Sequence, residues 1–105
     1  MLEIAYRFFV LPRFHDAFQH AYNAARDVLR DMPGLLSVEL AAPRQRRGAF
    51  VLRLAWDSRA GFERFTRTWV GVWMLNGMGL AREAFAAPIE TASREASAPD
   101  PAREP

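Results

Sequence analysis

Large apolar residues recur at every second position from Phe50 to Trp56. Phe50, Leu52, Leu54 and Trp56 fall on one side, with Arg53 and Asp57 among the residues between. A period of two predicts a strand with one strongly apolar face. Past Ser58 the apolar positions become 62, 65, 69, 72 and 73, which is one stripe of a helix. Ser58 fits the helix N-cap, where its hydroxyl can accept an early backbone N–H. The stretch from Phe50 to Asn76 therefore reads as a strand feeding an aromatic helical region that lies back on a sheet. All three tryptophans belong to it. A small-molecule pocket under those helices is the expectation.

The rest of the chain follows the same logic. Leu2 to Leu11 predicts a first strand, with Ile4, Tyr6, Phe8 and Val10 on one face and Pro12 ending it. Arg13 to Asp31 predicts a helix, because Phe14, Phe18, Ala21, Tyr22, Ala25, Val28, Leu29 and Met32 form one stripe. Pro33-Gly34 stops it. Leu35 to Ala42 predicts a second strand, with Leu36, Val38 and Leu40 facing one way. It pairs as a hairpin with Ala49 to Asp57 across the polar turn Pro43 to Gly48. Helix resumes from Arg59 to about Asn76, with a break at Thr66-Arg67-Thr68. A last strand falls within Glu83 to Ala92, and Pro88 suggests an edge or a bulge. From Ser93 onward no apolar period remains, so residues 93–105 are expected to be a disordered tail behind one domain at 1–92.

Strand, helix, strand, strand, helix, strand is the split βαβ or ferredoxin-like order: an α+β fold with helices on one face of an antiparallel sheet. Phe9, Leu11, Leu35 and Val51 are assigned to the other face, among Arg7, Glu39 and Arg53. That mixture predicts a covered face, and a second copy of the sheet would cover it with a single patch used twice. The charges there read as an ion-pair ladder across strands.

Composition narrows the chemistry. The chain has 105 residues and no cysteine, which excludes disulfides, thiolate nucleophiles and thiolate metal sites. No window is apolar enough for a membrane span, and the first residues do not read as a signal peptide, so a cytoplasmic protein is expected. All 14 basic residues are arginine, and the net charge is only +2. The pI of 9.9 thus overstates the basicity at neutral pH. His15 and His20 stand five apart, a poor spacing for a metal pair on one helix face, and are expected to be solvated.

Phe9-Val10 with Pro12 and Phe14, then Pro33-Gly34-Leu35-Leu36, then Trp56-Asp57-Ser58 with Phe62 and Phe65, and a terminal strand near Pro88, together resemble the antibiotic biosynthesis monooxygenase domain. That family has the dimeric α+β barrel architecture. The resemblance spans about Ile4 to Thr91. It implies a homodimer through the sheet, with a cavity between sheet and helices in each subunit. It also implies oxidation of a small phenol- or quinol-like aromatic, or a polyketide-like one, by dioxygen, with no cofactor and no metal. Trp56 matches a tryptophan that ends the third strand in quinone-forming members, and Asn76 falls where those members place an arginine. Trp56 and Asn76 are accordingly the catalytic candidates. Phe62, Phe65, Trp69 and Trp73 are the substrate-binding candidates. Leu52 stands where quinone-forming members carry an asparagine, which weighs against polyketide quinone formation. A haem-degrading branch of similar fold would need a histidine at about Leu75, and the chain has none there.

Two other classes stay open. A small-molecule-binding module without turnover would have the same sequence features. RNA-recognition domains share the element order, and Phe8-Phe9-Val10 with Arg47-Gly48-Ala49-Phe50-Val51 loosely follows their signatures. Arg53 replaces one required aromatic, and the charge surplus is small, so nucleic acid is not the expected partner. The aromatic stripe itself has a plain alternative as core packing.

Overall fold

The computed structural model describes residues 1–45 and 48–95. Four strands form one antiparallel sheet: β1 (Leu2–Phe8), β2 (Leu35–Ala41), β3 (Phe50–Trp56) and β4 (Glu90–Glu95), in the spatial order β2-β3-β1-β4. Three helices accompany it: α1 (His15–Arg30), α2 (Arg59–Arg67) and α3 (Trp69–Leu75). This is the ferredoxin-like order expected from the alternation of apolar periods.

Register places the two central strands so that their apolar sides coincide. Leu2 pairs with Trp56, Ile4 with Leu54, Tyr6 with Leu52 and Phe8 with Phe50. All eight are buried, and α1 adds Phe18, Tyr22 and Leu29 to the same core. Phe18 is the pivot of an aromatic group, its ring 5.0 Å from Phe8 and 4.6 Å from Phe50. The interior of the sheet–helix sandwich is therefore packed through its middle, and the open space lies toward its ends.

Several boundaries differ from the sequence reading. β1 stops at Phe8; Val10 makes an isolated bridge to Phe85, and a short 3-10 turn at Pro12–Phe14 precedes α1. β2 contains a register shift between Leu35 and Ser37. Leu35 thereby pairs with Trp56 and packs on the core, whereas Leu36 is 58% exposed. The expected assignment of these two leucines is reversed, because a bulge adds one residue and shifts the side-chain alternation. β4 runs to Glu95, so residues 93–95 belong to the sheet and not to a tail. Every β4 side chain is exposed, and such an edge strand is held by its backbone pairing to β1 rather than by an apolar period. Residues 96–105 of the expected tail lie outside the described residues.

The helical region breaks where expected. Thr68 ends α2 and caps α3. Its hydroxyl donates to the Phe65 carbonyl at 2.7 Å and accepts from Gly71 N–H at 3.1 Å. Ser58 caps α2 by accepting from Gly61 N–H at 3.3 Å. The two caps define two short helices in place of one long one.

Candidate functional site

The sequence candidates separate into two groups. Trp56 is fully buried at the end of β3, with its ring centroid 5.1 Å from Phe65 and 6.4 Å from Phe62. A small hollow of about 210 Å³ touches Trp56 and Phe65, closed by Met32 and Pro33 on one side and Arg64 on the other. The second group lies at the far end of α3, where Asn76 opens a recess of about 770 Å³. Leu75, Leu80, Phe85 and Ile89 give it apolar walls, and Arg82 lines it as well. Trp73 is partly buried against the core between these places. Trp69 is 73% exposed on the outer side of α3. The structure thus gathers Trp56, Phe62 and Phe65, places Asn76 at a different opening, and leaves Trp69 facing outward.

The backbone after α3 explains how the larger recess is shaped. Gly77 N–H donates to the Met74 carbonyl and Met78 N–H to the Trp73 carbonyl, both at 3.1 Å. That is the paired 5→2 and 6→1 pattern of a Schellman stop, with glycine just past the cap residue Asn76. The left-handed conformation then persists: Gly77, Met78 and Gly79 have φ of 98°, 56° and 77°. Met78 is the one described non-glycine residue with positive φ. Its buried side chain holds it there. A Cβ at Gly77 would come within 2.8 Å of the Phe85 ring, and one at Gly79 within 2.8 Å of the Trp73 indole nitrogen. Both aromatic rings rest directly on glycine backbone.

Phe85 is pinned from the opposite side. Leu11 N–H donates to the Ala84 carbonyl and Ala86 N–H to the Phe9 carbonyl, each at 2.7 Å. The recess therefore has one wall tied to the continuation of β1 and another made by a left-handed turn. Asn76 and Arg82 are both exposed, and neither side chain has a hydrogen bond or ion pair among the described residues. Among the described arginines, two have a carboxylate partner. Arg7 reaches Glu90 at 3.7 Å and stacks over Phe9, and Arg59 donates to Glu95.

Two polar atoms are buried without a partner: the Tyr6 hydroxyl and the Trp56 indole nitrogen. Burial pushes the Tyr6 hydroxyl up to about 12, because its ionised form would lose hydration with no compensating contact. Among the described residues no cluster of His, Asp and Glu is arranged to hold a metal. His15 departs from the solvated expectation. Its Nε2 lies 2.9 Å from the Val10 carbonyl, which makes that nitrogen the donor, and its ring meets Phe50 edge-on. No described helix is long and apolar enough to cross a membrane.

Tyr6, Arg82, Phe85 and the Gly77–Gly79 turn were not among the site candidates. The Asn-Gly-Met-Gly sequence reads only as a stop signal, and Arg82 lies in a segment without apolar period. Only the tertiary arrangement brings Arg82 and Phe85 into one recess with Asn76; Tyr6 lies apart from it, in the core.

A four-stranded antiparallel sheet with its helices on one face, and an end recess shaped by a strained turn, defines a ferredoxin-like α+β protein. The family follows from the sequence. The antibiotic biosynthesis monooxygenase model matches residues 1–70, and the chain belongs to that family. The match includes Trp56, Phe62, Phe65 and Trp69, while Asn76 and Arg82 lie beyond it. A crystallised antibiotic biosynthesis monooxygenase superposes with a TM-score of 0.78 at 18% identity, over 93% of this chain and all of its own. Rv0793 from Mycobacterium tuberculosis gives 0.75 at 17% identity, covering 93% of this chain and 96% of that one. PA3566 from Pseudomonas aeruginosa gives 0.73 at 20%, covering 92% and 94%. At such identities the likeness speaks for the fold. No curated protein matches the sequence significantly.

Proposed function

We propose that this protein is a cofactor-independent monooxygenase acting on a small phenol- or quinol-like aromatic with dioxygen, as a cytoplasmic homodimer joined through the sheet. The observation that carries the reading is the 770 Å³ recess, apolar on most sides, with the unpartnered Asn76 amide at its edge. Its volume lies in the range of small-molecule sites, about 300–1,000 Å³. A flat ring would lie against Phe85 and Leu80, and the Asn76 amide would hold a phenol oxygen. In the overall reaction a ring C–H becomes C=O. One oxygen atom enters the substrate, and the other leaves as water with the ring hydrogen and the phenol hydrogen. Four electrons pass from the substrate to dioxygen, so no external reductant is required. The protein's part is to orient the ring and favour its ionised form. Trp56, Phe62 and Phe65 brace the helix pair, and Trp73 supports the turn beside the recess.

The sheet's outer face supports the homodimer. Its centre is small, with Ala5, Ala55 and Ala92. Opposite charges stand in register on that face, Glu39 opposite Arg53, Glu3 opposite Arg94 and Arg7 opposite Glu90, the last at 3.7 Å. Small residues let another backbone approach closely, and paired charges can exchange partners across a two-fold axis.

Oxygen uptake with a panel of phenols and quinols tests the reading. Uptake by wild type that falls at least tenfold in Asn76→Ala, with unchanged thermal stability, is the expected result. Binding without uptake across the panel would instead make the protein a non-catalytic binding module.

A further inference from the structure

We propose that Arg82 makes the Asn76 recess selective for aromatic ligands that carry a carboxylate. The inference rests on reading this recess as the substrate site and adds the chemical class of its ligand. Arg7 and Arg59 have carboxylate partners within the protein. Like most of the described arginines, Arg82 has none among the described residues; its place is in the lining of the Asn76 recess, which holds no acidic side chain. A guanidinium presents two parallel N–H groups that match a carboxylate in plane. At neutral pH a carboxylate is fully ionised and an ordinary phenol is not. The fixed positive charge therefore discriminates between them before any chemistry occurs. Asn76 is left to accept or donate at a second polar group on the same ring.

The local architecture supports a built site. Residues 77–79 hold three successive left-handed conformations, and Met78 adopts one despite its side chain. Such backbone is retained where the surrounding structure enforces it, and it gathers at ligand sites. Here it seats Phe85 on bare glycine backbone, so a ring entering the recess meets a fixed aromatic wall a short chain distance from Arg82.

Calorimetric titration without turnover, under anaerobic conditions, separates this claim from the oxygenase reading. The probes are 2-naphthoate, 2-naphthamide and 2-naphthol, which share one ring system. Wild type is expected to bind the carboxylate at least about tenfold more tightly than either neutral probe, in keeping with a charge-assisted contact. Arg82→Gln is expected to abolish that preference while retaining the weak affinity for the neutral probes. Arg82→Lys is expected to restore part of it. Equal affinity for all three probes, a preference that survives Arg82→Gln, or no carboxylate binding up to about 10 mM would each overturn the proposal. Carboxylate selectivity together with absent oxygen uptake would leave this inference standing and defeat the catalytic one.

Discussion

The Trp56 end and the Asn76 end of one chain segment solve opposite problems. Around Trp56 the surfaces are largely matched: the indole meets Phe62 and Phe65, Leu2 of β1 and Leu35 of β2 pair with Trp56, and a small hollow of about 210 Å³ is left. Around Asn76 matching is deliberately incomplete. Two polar side chains point at no protein partner, and the backbone beside them is held in a conformation that ordinary residues avoid. The difference teaches that aromatic richness in this family of sequences marks packing first. Unspent hydrogen-bonding capacity and local strain are the features on which the proposed ligand site rests.

Removing the indole tests the packed end most severely. Trp56→Ala should lower the free energy of unfolding by about 3–5 kcal/mol, through lost burial and the cavity left behind. Urea denaturation measures it. Trp56→Phe should cost much less, because it also removes a buried donor that has no acceptor. If Trp56→Phe instead abolished activity while leaving stability intact, Trp56 would belong to the site, and the two ends would not be distinct.

Gly77→Ala strikes the other end. A left-handed alanine costs about 1–2 kcal/mol, and its methyl would press on the Phe85 ring. A stability loss near 2 kcal/mol with weakened ligand binding is expected. Loss of stability with unaltered binding would show that the ring wall does not shape the recess.

These contrasts also explain what the sequence made legible. Period-two and period-3.6 spacing revealed most of the element order, because β1, β3 and α1 each bury one face. Ser58 marked a helix start through a local hydrogen bond that depends on neighbouring residues alone, and Thr66-Arg67-Thr68 marked the break between the helices. The bulge at Leu35–Ser37 was hidden, since a one-residue shift in pairing leaves the alternation readable in either phase. β4 was cut short because an exposed edge strand carries no apolar signal. Asn76 was named as a candidate by its count along the chain from Trp56. Arg82 was not, because its place in the recess beside Asn76 arises from the tertiary fold.

Tyr6 lies within the packed layer and allows a pH test of it. Its hydroxyl ionises near 10 in an unfolded chain and near 12 when folded. Above pH 10 the unfolded chain loses this proton first, so it binds fewer protons than the folded one. Stability should therefore fall as pH rises from about 10 to about 12, by on the order of 2 kcal/mol. Tyr6→Phe should remove that alkaline loss and cost little near neutrality, as the hydroxyl has no partner to lose. An unchanged alkaline slope in the phenylalanine variant would mean that other groups govern it.

The smallest expected effect separates the two ends most cleanly. Arg59→Gln removes the contact to Glu95 that ties the start of α2 to the end of β4. Both groups are more than half exposed, so the loss should stay below about 1 kcal/mol. Arg82→Gln removes no contact within the protein, and stability should change by less than about 0.5 kcal/mol. The same substitution is the one expected to erase carboxylate selectivity. A residue that stabilises nothing and yet decides which ligand binds is what an unpaired charge at an apolar recess should be. If Arg82→Gln instead lowered the melting temperature as far as Gly77→Ala does, the arginine would be a structural strut. The openness of the Asn76 end would then be filled by the protein itself rather than reserved for a ligand.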